Sequence, residues 1–189
     1  SETIFQLAKK ATSLGLVPYA LSFHVGSQQR DIREWDKALA LCKILFDRLK
    51  KEGIVLRAIN VGGGFPATYV QPIPEIKEYG MKIKSAIQKY FGKEKLNIIL
   101  EPGRAIAGDA GVIFSEVVLV SQKSADTNRW VYLDVGKFGG LIETLDECIK
   151  YPLRVLGKEK EKNVAPVTLA GPTCDSADIL YEKYLYTLP

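Results

Sequence analysis

The sequence contains few of the residues from which metal sites and disulfide frameworks are built. It has three cysteines and one histidine among 189 residues. Cys42, Cys148 and Cys174 form no close pair along the chain. We therefore predict neither a disulfide framework nor a zinc site, and we expect no bound metal. Because unpaired thiols are typical of a reducing compartment, we expect a cytoplasmic protein.

Long apolar runs and charge of one sign are missing as well. No apolar segment approaches the roughly 20 residues that a bilayer-spanning helix needs, and residues 1–13 do not resemble a secretion signal. The 26 basic residues outnumber the 22 acidic ones, but the two signs are interleaved along the chain. We therefore expect neither a membrane nor a nucleic acid as a partner.

The first half of the sequence alternates helical and extended patterns. The spacing of apolar residues predicts helices over 2–13, 31–52 and 75–91, and apolar runs predict strands over 17–24, 54–61 and 96–100. Asp31 and Glu34 are spaced like a capping box at the start of the second helix. Such alternation with short connections is typical of parallel β-α units, whose strands are buried on both faces.

The pattern changes after Gly111. Apolar runs over 112–121, 130–133 and 164–169 are separated by polar turns and a charged segment. These runs predict a second, largely antiparallel region. We therefore place a domain boundary near residues 108–111.

Three of the predicted strands end in segments that suit a phosphorylated ligand. These segments are Ser22-Phe23-His24-Val25-Gly26-Ser27-Gln28, Gly62-Gly63-Gly64-Phe65-Pro66 and Glu101-Pro102-Gly103-Arg104. Glycines let an anion approach backbone N–H groups, and an arginine offers a planar cationic fork. Each segment also has a simpler interpretation, as a structural histidine, a tight glycine turn or a turn with a surface ion pair. Their joint position at the carboxyl ends of parallel strands favours one shared site.

Two stretches of the second half also contain reactive or acidic groups. Cys174 lies between turn-forming and acidic residues in the segment 171–178. It can be interpreted as a buried, inert cysteine. Glu143, Asp146 and Glu147 follow the glycine-rich segment 133–140. These acids can be interpreted as the first turns of an exposed helix.

Taken together, the motifs SFHVGSQ, GGGFP, EPGR and GPTCDSAD resemble, in content and order, the fold-type III decarboxylases of basic amino acids. These enzymes depend on pyridoxal 5'-phosphate (PLP). The stretch YLDVGKFGGLIETLDE is most similar to the bacterial ornithine and lysine/ornithine enzymes. The resemblance implies an α/β fold, with part of a (β/α)8 TIM-type barrel followed by part of an antiparallel β-domain. Residues 1–110 would be the C-terminal portion of the PLP-binding barrel, and residues 111–189 would form the β-rich portion with the Cys-Asp motif.

The resemblance also implies roles for the residues of the first three motifs. His24 would stack on the pyridine ring of PLP. Glu101 would pair with the pyridine nitrogen and keep it protonated. The phosphate would be held by Ser27, Gly62, Gly63, Gly64, Gly103 and Arg104.

In the later motifs, the resemblance implies that Cys174 returns a proton to the α-carbon after decarboxylation. Asp175 would bind the distal ammonium of the substrate, ornithine or lysine. A second carboxylate for that ammonium would be Glu143, Asp146 or Glu147, and counting from Gly136 favours Glu147. In the family, Cys174 and Asp175 act across a homodimer with shared active sites.

The motif that contains the family's Schiff-base lysine precedes these segments in the family's order. We therefore expect the 189 residues to be part of a longer enzyme and to be inactive alone. The leading interpretation is decarboxylation of L-ornithine to putrescine. The alternatives are a lysine/ornithine, diaminopimelate or arginine decarboxylase, a non-catalytic homologue of the antizyme-inhibitor type, and a phosphate-binding barrel enzyme without PLP. The aspartate after Cys174 favours ornithine over diaminopimelate.

Overall fold

The computed structural model of the chain describes residues 2–92, 94–124 and 128–189. The chain divides into two compact units, Ser1–Gly111 and Val112–Pro189. Each unit has its own sheet and its own buried apolar cluster. Among the described residues, none of the helices combines the length and the apolar character needed to cross a membrane.

The first unit alternates helices and strands. In chain order its elements are α1 (Glu2–Ser13), β1 (Ala20–Ser22), α2 (Arg33–Lys51), β2 (Ala58–Asn60), α3 (Ile76–Phe91), β3 (Asn97–Ile99) and α4 (Arg104–Ala107). The strands form a parallel sheet in the order β1-β2-β3, with Ser22 opposite Asn60 and Asn60 opposite Ile99. The predicted parallel β-α arrangement is confirmed.

Two details of the first unit differ from the prediction. The predicted capping box at Asp31 is wrong, because the Glu34 carboxylate accepts from Lys37 at 2.6 Å instead of turning back to the helix start. The Asp31 carboxylate still caps locally, since it accepts the Arg33 N–H at 2.9 Å. The strands are also shorter than predicted, and β3 is exposed along its whole length, so it does not match the expectation of burial on both faces.

The core of the first unit lies where α2 and α3 pack on β2. Trp35, Leu39 and Leu49 of α2 are fully buried, as is Ile59 of β2. The three α2 residues follow one another at spacings of four and ten residues, which places them on one helical face. The packing fixes β2 relative to the helices, and with it the loop that leaves the carboxyl end of β2.

The second unit is a four-stranded sheet in the order β4-β5-β6-β7. Its strands are β4 (Val117–Ser121), β5 (Arg129–Leu133), β6 (Ala165–Ala170) and β7 (Ile179–Leu188). The outer pairs are antiparallel, whereas β5 and β6 pair in parallel. Two of the three pairs among the described strands are antiparallel, which agrees with the expected, largely antiparallel region, and the β5–β6 pair makes the sheet mixed. β7 is an additional strand. The segment with Glu143, Asp146 and Glu147 forms a short 3-10 turn, Ile142–Glu147, and not the exposed helix considered above. Two more 3-10 turns span Lys137–Gly139 and Ser176–Asp178.

Candidate functional site

The three loops that follow β1, β2 and β3 lie against one another. Backbone hydrogen bonds join them directly: Phe23 N–H donates to Asn60 O (3.2 Å), Gln29 N–H to Gly64 O (2.8 Å) and Glu101 N–H to Gly62 O (2.9 Å). Parallel strands place their carboxyl ends at one edge of a sheet, which is why segments far apart in sequence meet here. The structure thus brings the three sequence-predicted segments together.

The triple glycine packs between the other two loops. A Cβ on Gly62 would collide with the Phe23 carbonyl oxygen, and a Cβ on Gly64 would collide with the Gly26 carbonyl oxygen. A Cβ on Gly63 would lie 2.6 Å from the Glu101 carbonyl oxygen. Gly62 and Gly64 also have positive φ angles of 69° and 88°. The segment is therefore a backbone surface in close contact with both neighbouring loops.

A cation and a hydroxyl meet beside the glycine loop. Arg104 Nη1 donates to Ser27 Oγ at 2.7 Å. The Gln28 side chain makes two hydrogen bonds with the backbone of Ala67, from Nε2 to the carbonyl at 2.6 Å and from the Ala67 N–H to Oε1 at 3.2 Å. Gln28, which the sequence arguments left without a role, therefore holds the Ser27 segment to the end of the glycine loop.

Glu101 presents an exposed carboxylate at the same edge. Its Oε1 accepts a hydrogen bond from Asn60 Nδ2 at 2.7 Å. The Asn60 Oδ1 in turn accepts the N–H of Gly62 at 2.9 Å. Sequence reasoning did not single out Asn60, which is the last residue of β2.

His24 is exposed, and its ring is fixed by the local backbone. Its Nδ1 accepts the Gly26 N–H at 2.9 Å. A ring nitrogen that accepts a hydrogen bond has no proton of its own, so the neutral ring has its proton on Nε2. The position of a Cβ at Gly63 would be 3.5 Å from Nε2, which places this imidazole beside the glycine loop.

Three buried aromatic side chains, Trp35, Phe65 and Tyr79, pack together next to these loops. Trp35 stacks on Phe65 at 4.9 Å and meets Tyr79 edge-on at 5.6 Å. Trp35 Nε1 donates to the carbonyl of Val61, and the Tyr79 hydroxyl donates to the carbonyl of Gln29. Both polar contacts join residues far apart in the sequence, so they depend on the tertiary fold.

In the second unit, a buried carboxylate organises the segments around Cys174. Asp178 is 1% exposed, and its oxygens accept the Lys137 N–H (2.7 Å), the Thr173 N–H (3.1 Å) and the Thr173 hydroxyl (2.9 Å). A Cβ on Gly136 or Gly171 would collide with this carboxylate. The same aspartate therefore shapes both glycine-containing segments of this unit. Asp178 is the last residue of the motif GPTCDSAD, and no local pattern predicted its role.

Cys174 is exposed, so the interpretation of a buried cysteine is wrong for this thiol. That description fits Cys42, whose partial burial raises the pKa of its thiol to about 11. Asp175 follows Cys174 directly and is also exposed, and its Oδ1 accepts the Ala177 N–H at 2.8 Å. The two adjacent side chains are thus presented together by a short capped turn.

The three candidate carboxylates after the glycine turn differ in their surroundings. Glu147 Oε1 accepts the N–H groups of Glu182 and Lys183, and Oε2 accepts that of Tyr184, each at 2.7 Å. The carboxylate of Glu147, which counting favoured as a substrate ligand, is therefore engaged by β7. Asp146 is exposed and, with Glu147 and Ser176, lines a cavity of about 260 Å³. Glu143 is exposed as well.

We expect Glu147 to make the stability of the second unit depend on pH. Burial raises the pKa of Glu147, but the three backbone donors lower it more, so the net pKa lies below the ordinary 4.5. The ionised form is thus favoured by folding, and its contribution is present above that value and lost as the pH falls through the lower, folded pKa.

Glu147→Gln should therefore lower the free energy of unfolding by about 1.5–3 kcal/mol at pH 7, the net contribution of one hydrogen bond to a charged group. The deficit relative to the unmodified protein should shrink as the pH falls below 4. Urea unfolding at pH 7, 5, 4 and 3 measures it, with Glu182→Gln as the control that removes a neighbouring charge. A deficit that is the same at every pH would contradict the role of the ionised carboxylate.

Comparison with known proteins adds an independent line of information. The family model described as "Pyridoxal-dependent decarboxylase, pyridoxal binding domain" matches residues 1–108. The lysine/ornithine decarboxylase of Selenomonas ruminantium is 30% identical over 97% of this chain and 45% of its own length. The diaminopimelate decarboxylase of Neisseria meningitidis serogroup A is 32% identical over 83% of this chain and 37% of its own length.

The fold is similar to solved structures of the same kind. The lysine/ornithine decarboxylase of Vibrio vulnificus complexed with cadaverine has a TM-score of 0.84 at 28% identity. The match covers all of this chain and 50% of that one, so the chain spans about half the length of the relatives it matches. The resemblance seen in the sequence motifs is confirmed. Because the family model covers more than half of the sequence, the chain belongs to the pyridoxal-dependent decarboxylases.

Proposed function

We propose that this chain is part of a PLP-dependent decarboxylase that converts L-ornithine to putrescine in the cytoplasm. The observation that supports this proposal most is the meeting of three loops at one sheet edge, where Ser27 and Arg104 lie beside the triple glycine and Glu101. We propose residues 1–110 as the PLP-binding portion and residues 111–189 as part of a β-rich domain.

The residues at this edge fit the two ends of PLP. A phosphate dianion needs a cation and several hydrogen-bond donors, and Arg104, the Ser27 hydroxyl and the backbone N–H groups of Gly63, Gly64 and Gly103 are of that kind. The N–H of Gly62 is instead bonded to Asn60 Oδ1, so its predicted role as a phosphate donor is corrected to a structural one. A pyridine nitrogen that stays protonated needs an anionic acceptor, and the exposed Glu101 carboxylate is one. Side chains at Gly62, Gly63 and Gly64 would collide with carbonyl oxygens of the neighbouring loops, so only glycines allow the three loops to pack this closely beside Ser27 and Arg104.

Each residue then has a separate task. Ser27, Arg104 and the glycine loop bind the phosphate and so fix the position of the ring. His24 packs on the ring face, and Glu101 keeps the proton on the ring nitrogen. When bound, PLP supplies the electron sink that accepts the electron pair released with carbon dioxide.

The second unit would complete the reaction. We propose that the exposed thiol of Cys174 donates the proton to the α-carbon and that Asp175 binds the distal ammonium of the substrate. Asp146 is the second carboxylate we propose, because Glu147 is engaged by β7 and Asp146 lines the cavity. These groups would act on the PLP of a partner subunit in a homodimer.

The substrate assignment rests on the exposed carboxylate of Asp146 in this cavity, on the aspartate that follows Cys174, and on the relatives. The relative from Selenomonas ruminantium is a lysine/ornithine decarboxylase, and ornithine and lysine differ by one methylene, which a fitted pocket distinguishes by only about 1–3 kcal/mol. Diaminopimelate is the second candidate. Lys137 and Lys183 line the same cavity as Asp146, and they are groups that could pair with the distal carboxylate of that substrate.

The test is to assay the intact enzyme with ornithine, lysine, arginine and diaminopimelate. We expect the highest kcat/KM with ornithine, lysine within about 200-fold of it, and arginine and diaminopimelate lower. Preference for diaminopimelate would overturn the ornithine assignment while leaving the decarboxylase intact. A PLP-loaded protein that turns over none of the four would instead favour a non-catalytic regulatory homologue. That alternative predicts eroded motifs, whereas His24, Glu101, Arg104, Cys174 and Asp175 are all present.

A further inference from the structure

Asn60 contacts all three loops of the candidate PLP site. Its backbone carbonyl accepts the Phe23 N–H of the first loop at 3.2 Å. Its Oδ1 accepts the Gly62 N–H of the second loop at 2.9 Å, and its Nδ2 donates to Glu101 Oε1 of the third at 2.7 Å. Asn60 is half-buried at the carboxyl end of β2, the central strand of the sheet. Both polar atoms of its side-chain amide, Oδ1 and Nδ2, are therefore hydrogen-bonded.

The chemistry of this contact suits the task proposed for Glu101. An amide N–H donates to a carboxylate oxygen without adding charge, so the contact orients Glu101 and leaves the local charge unchanged. Because Oε1 is bonded to Asn60, the rotation of the carboxylate about its last bond is restricted. The other oxygen, Oε2, is then presented in one orientation to any group bound at this edge.

We propose that Asn60 is a positioning residue for the ring nitrogen of PLP, acting through Glu101. This inference rests on the proposed function, because it takes Glu101 as the acceptor of the ring N–H. Asn60 also couples the two halves of the site. The same amide that orients Glu101 fixes the first N–H of the glycine loop, so the ring-nitrogen end and the phosphate end are aligned by one side chain.

The substitution Asn60→Ser separates these two contacts. A serine hydroxyl can accept the N–H two residues on, as the Asn60 Oδ1 now does, so the turn into the glycine loop is retained. The serine side chain is too short to reach Glu101. Asn97→Ser is the matched control, since Asn97 lies on the adjacent strand β3 and its amide donates to the Tyr19 hydroxyl at 2.9 Å.

The experiment measures dissociation constants of the intact enzyme for PLP and for the analogue in which carbon replaces the ring nitrogen. The unmodified enzyme should bind PLP more tightly than the analogue, and the ratio of the two dissociation constants is its preference for PLP. In Asn60→Ser this preference should fall about fivefold, within the range of one charge-assisted hydrogen bond. It should be unchanged in Asn97→Ser. In a Glu101→Gln background, Asn60→Ser should change the preference less than about twofold, because coupled residues are not additive.

The possible results distinguish a failure of this inference from a failure of the proposed role of Glu101. Equal weakening of both cofactors in Asn60→Ser would mean a merely structural role for Asn60 and would overturn the inference. An unchanged preference would overturn it too, with the role of Glu101 left intact. If the unmodified enzyme binds both cofactors equally well, Glu101 does not hold the ring nitrogen, and the proposed role of Glu101 fails together with the inference. The ¹⁵N shift of the labelled ring nitrogen reports its protonation as an independent readout.

Discussion

The Cys174→Ala enzyme is expected to form putrescine about 10²- to 10⁴-fold more slowly, the usual contribution of a positioned general acid. Part of the decarboxylated substrate should take up its proton at a carbon other than the α-carbon, because the proposed proton donor to the α-carbon has been removed. PLP absorbance should stay normal, since Cys174 belongs to the second unit and the proposed PLP ligands belong to the first. Product analysis by chromatography, alongside the absorbance spectrum, measures both effects.

Cys148→Ala is the matched control for this prediction. Cys148 is an exposed cysteine of the same unit, adjacent to Glu147 but outside the Cys174–Asp175 turn. We expect its turnover and product distribution to match those of the unmodified enzyme. Clean putrescine formation at the normal rate by Cys174→Ala would refute the assignment of the proton donor.

Glu101→Gln is expected to lower kcat by about 10²- to 10³-fold, the typical cost of losing one preorganised electrostatic contact in an active site. The amide has nearly the same shape but cannot hold a proton on the ring nitrogen by charge. PLP affinity should fall only about tenfold, because the phosphate contacts of Ser27 and Arg104 remain. Steady-state kinetics and a PLP titration separate the two effects.

The control for Glu101 is Glu116→Gln, which removes a carboxylate that lies outside the three loops. Glu116 is exposed, and its backbone N–H, not its side chain, bonds to Asp134 at 2.9 Å. We expect its kcat to be unchanged. An unaltered turnover number in Glu101→Gln would remove Glu101 from the mechanism.

Periodicity was sufficient to predict the alternation of the three longer helices with three strands in the first unit. Apolar spacing placed α1 at its observed bounds, Glu2–Ser13, and the alternation with strands predicted the parallel sheet. Because the carboxyl ends of parallel strands meet at one edge, the convergence of the three loops followed from topology. Helix ends were harder to place, since Asp31 and Glu34 have the pattern of a capping box but Lys37 competes for the glutamate.

Other features depend on contacts between residues far apart in the sequence. Asn60 and Glu101 are 41 positions apart, and no local pattern indicates that their side chains meet. The parallel pairing of β5 with β6 is of the same kind, because a strand pattern reveals the two faces of a strand but not its neighbour. In contrast, β7 had a local signal in its isoleucine, tyrosines and threonine, which are typical of strands.

The strand order of the second unit also determines how it can assemble. β6 and β7 are joined by the short segment 171–178, whereas β5 and β6 are separated by residues 134–164. Closing the longer connection costs more chain entropy, and parallel pairs cannot form through a tight hairpin. We therefore expect the β6–β7 pair to form early and its docking onto β5 to limit the folding rate. Because β5 ends at residue 133 and β6 at residue 170, β5 is synthesised 37 residues before its parallel partner is complete.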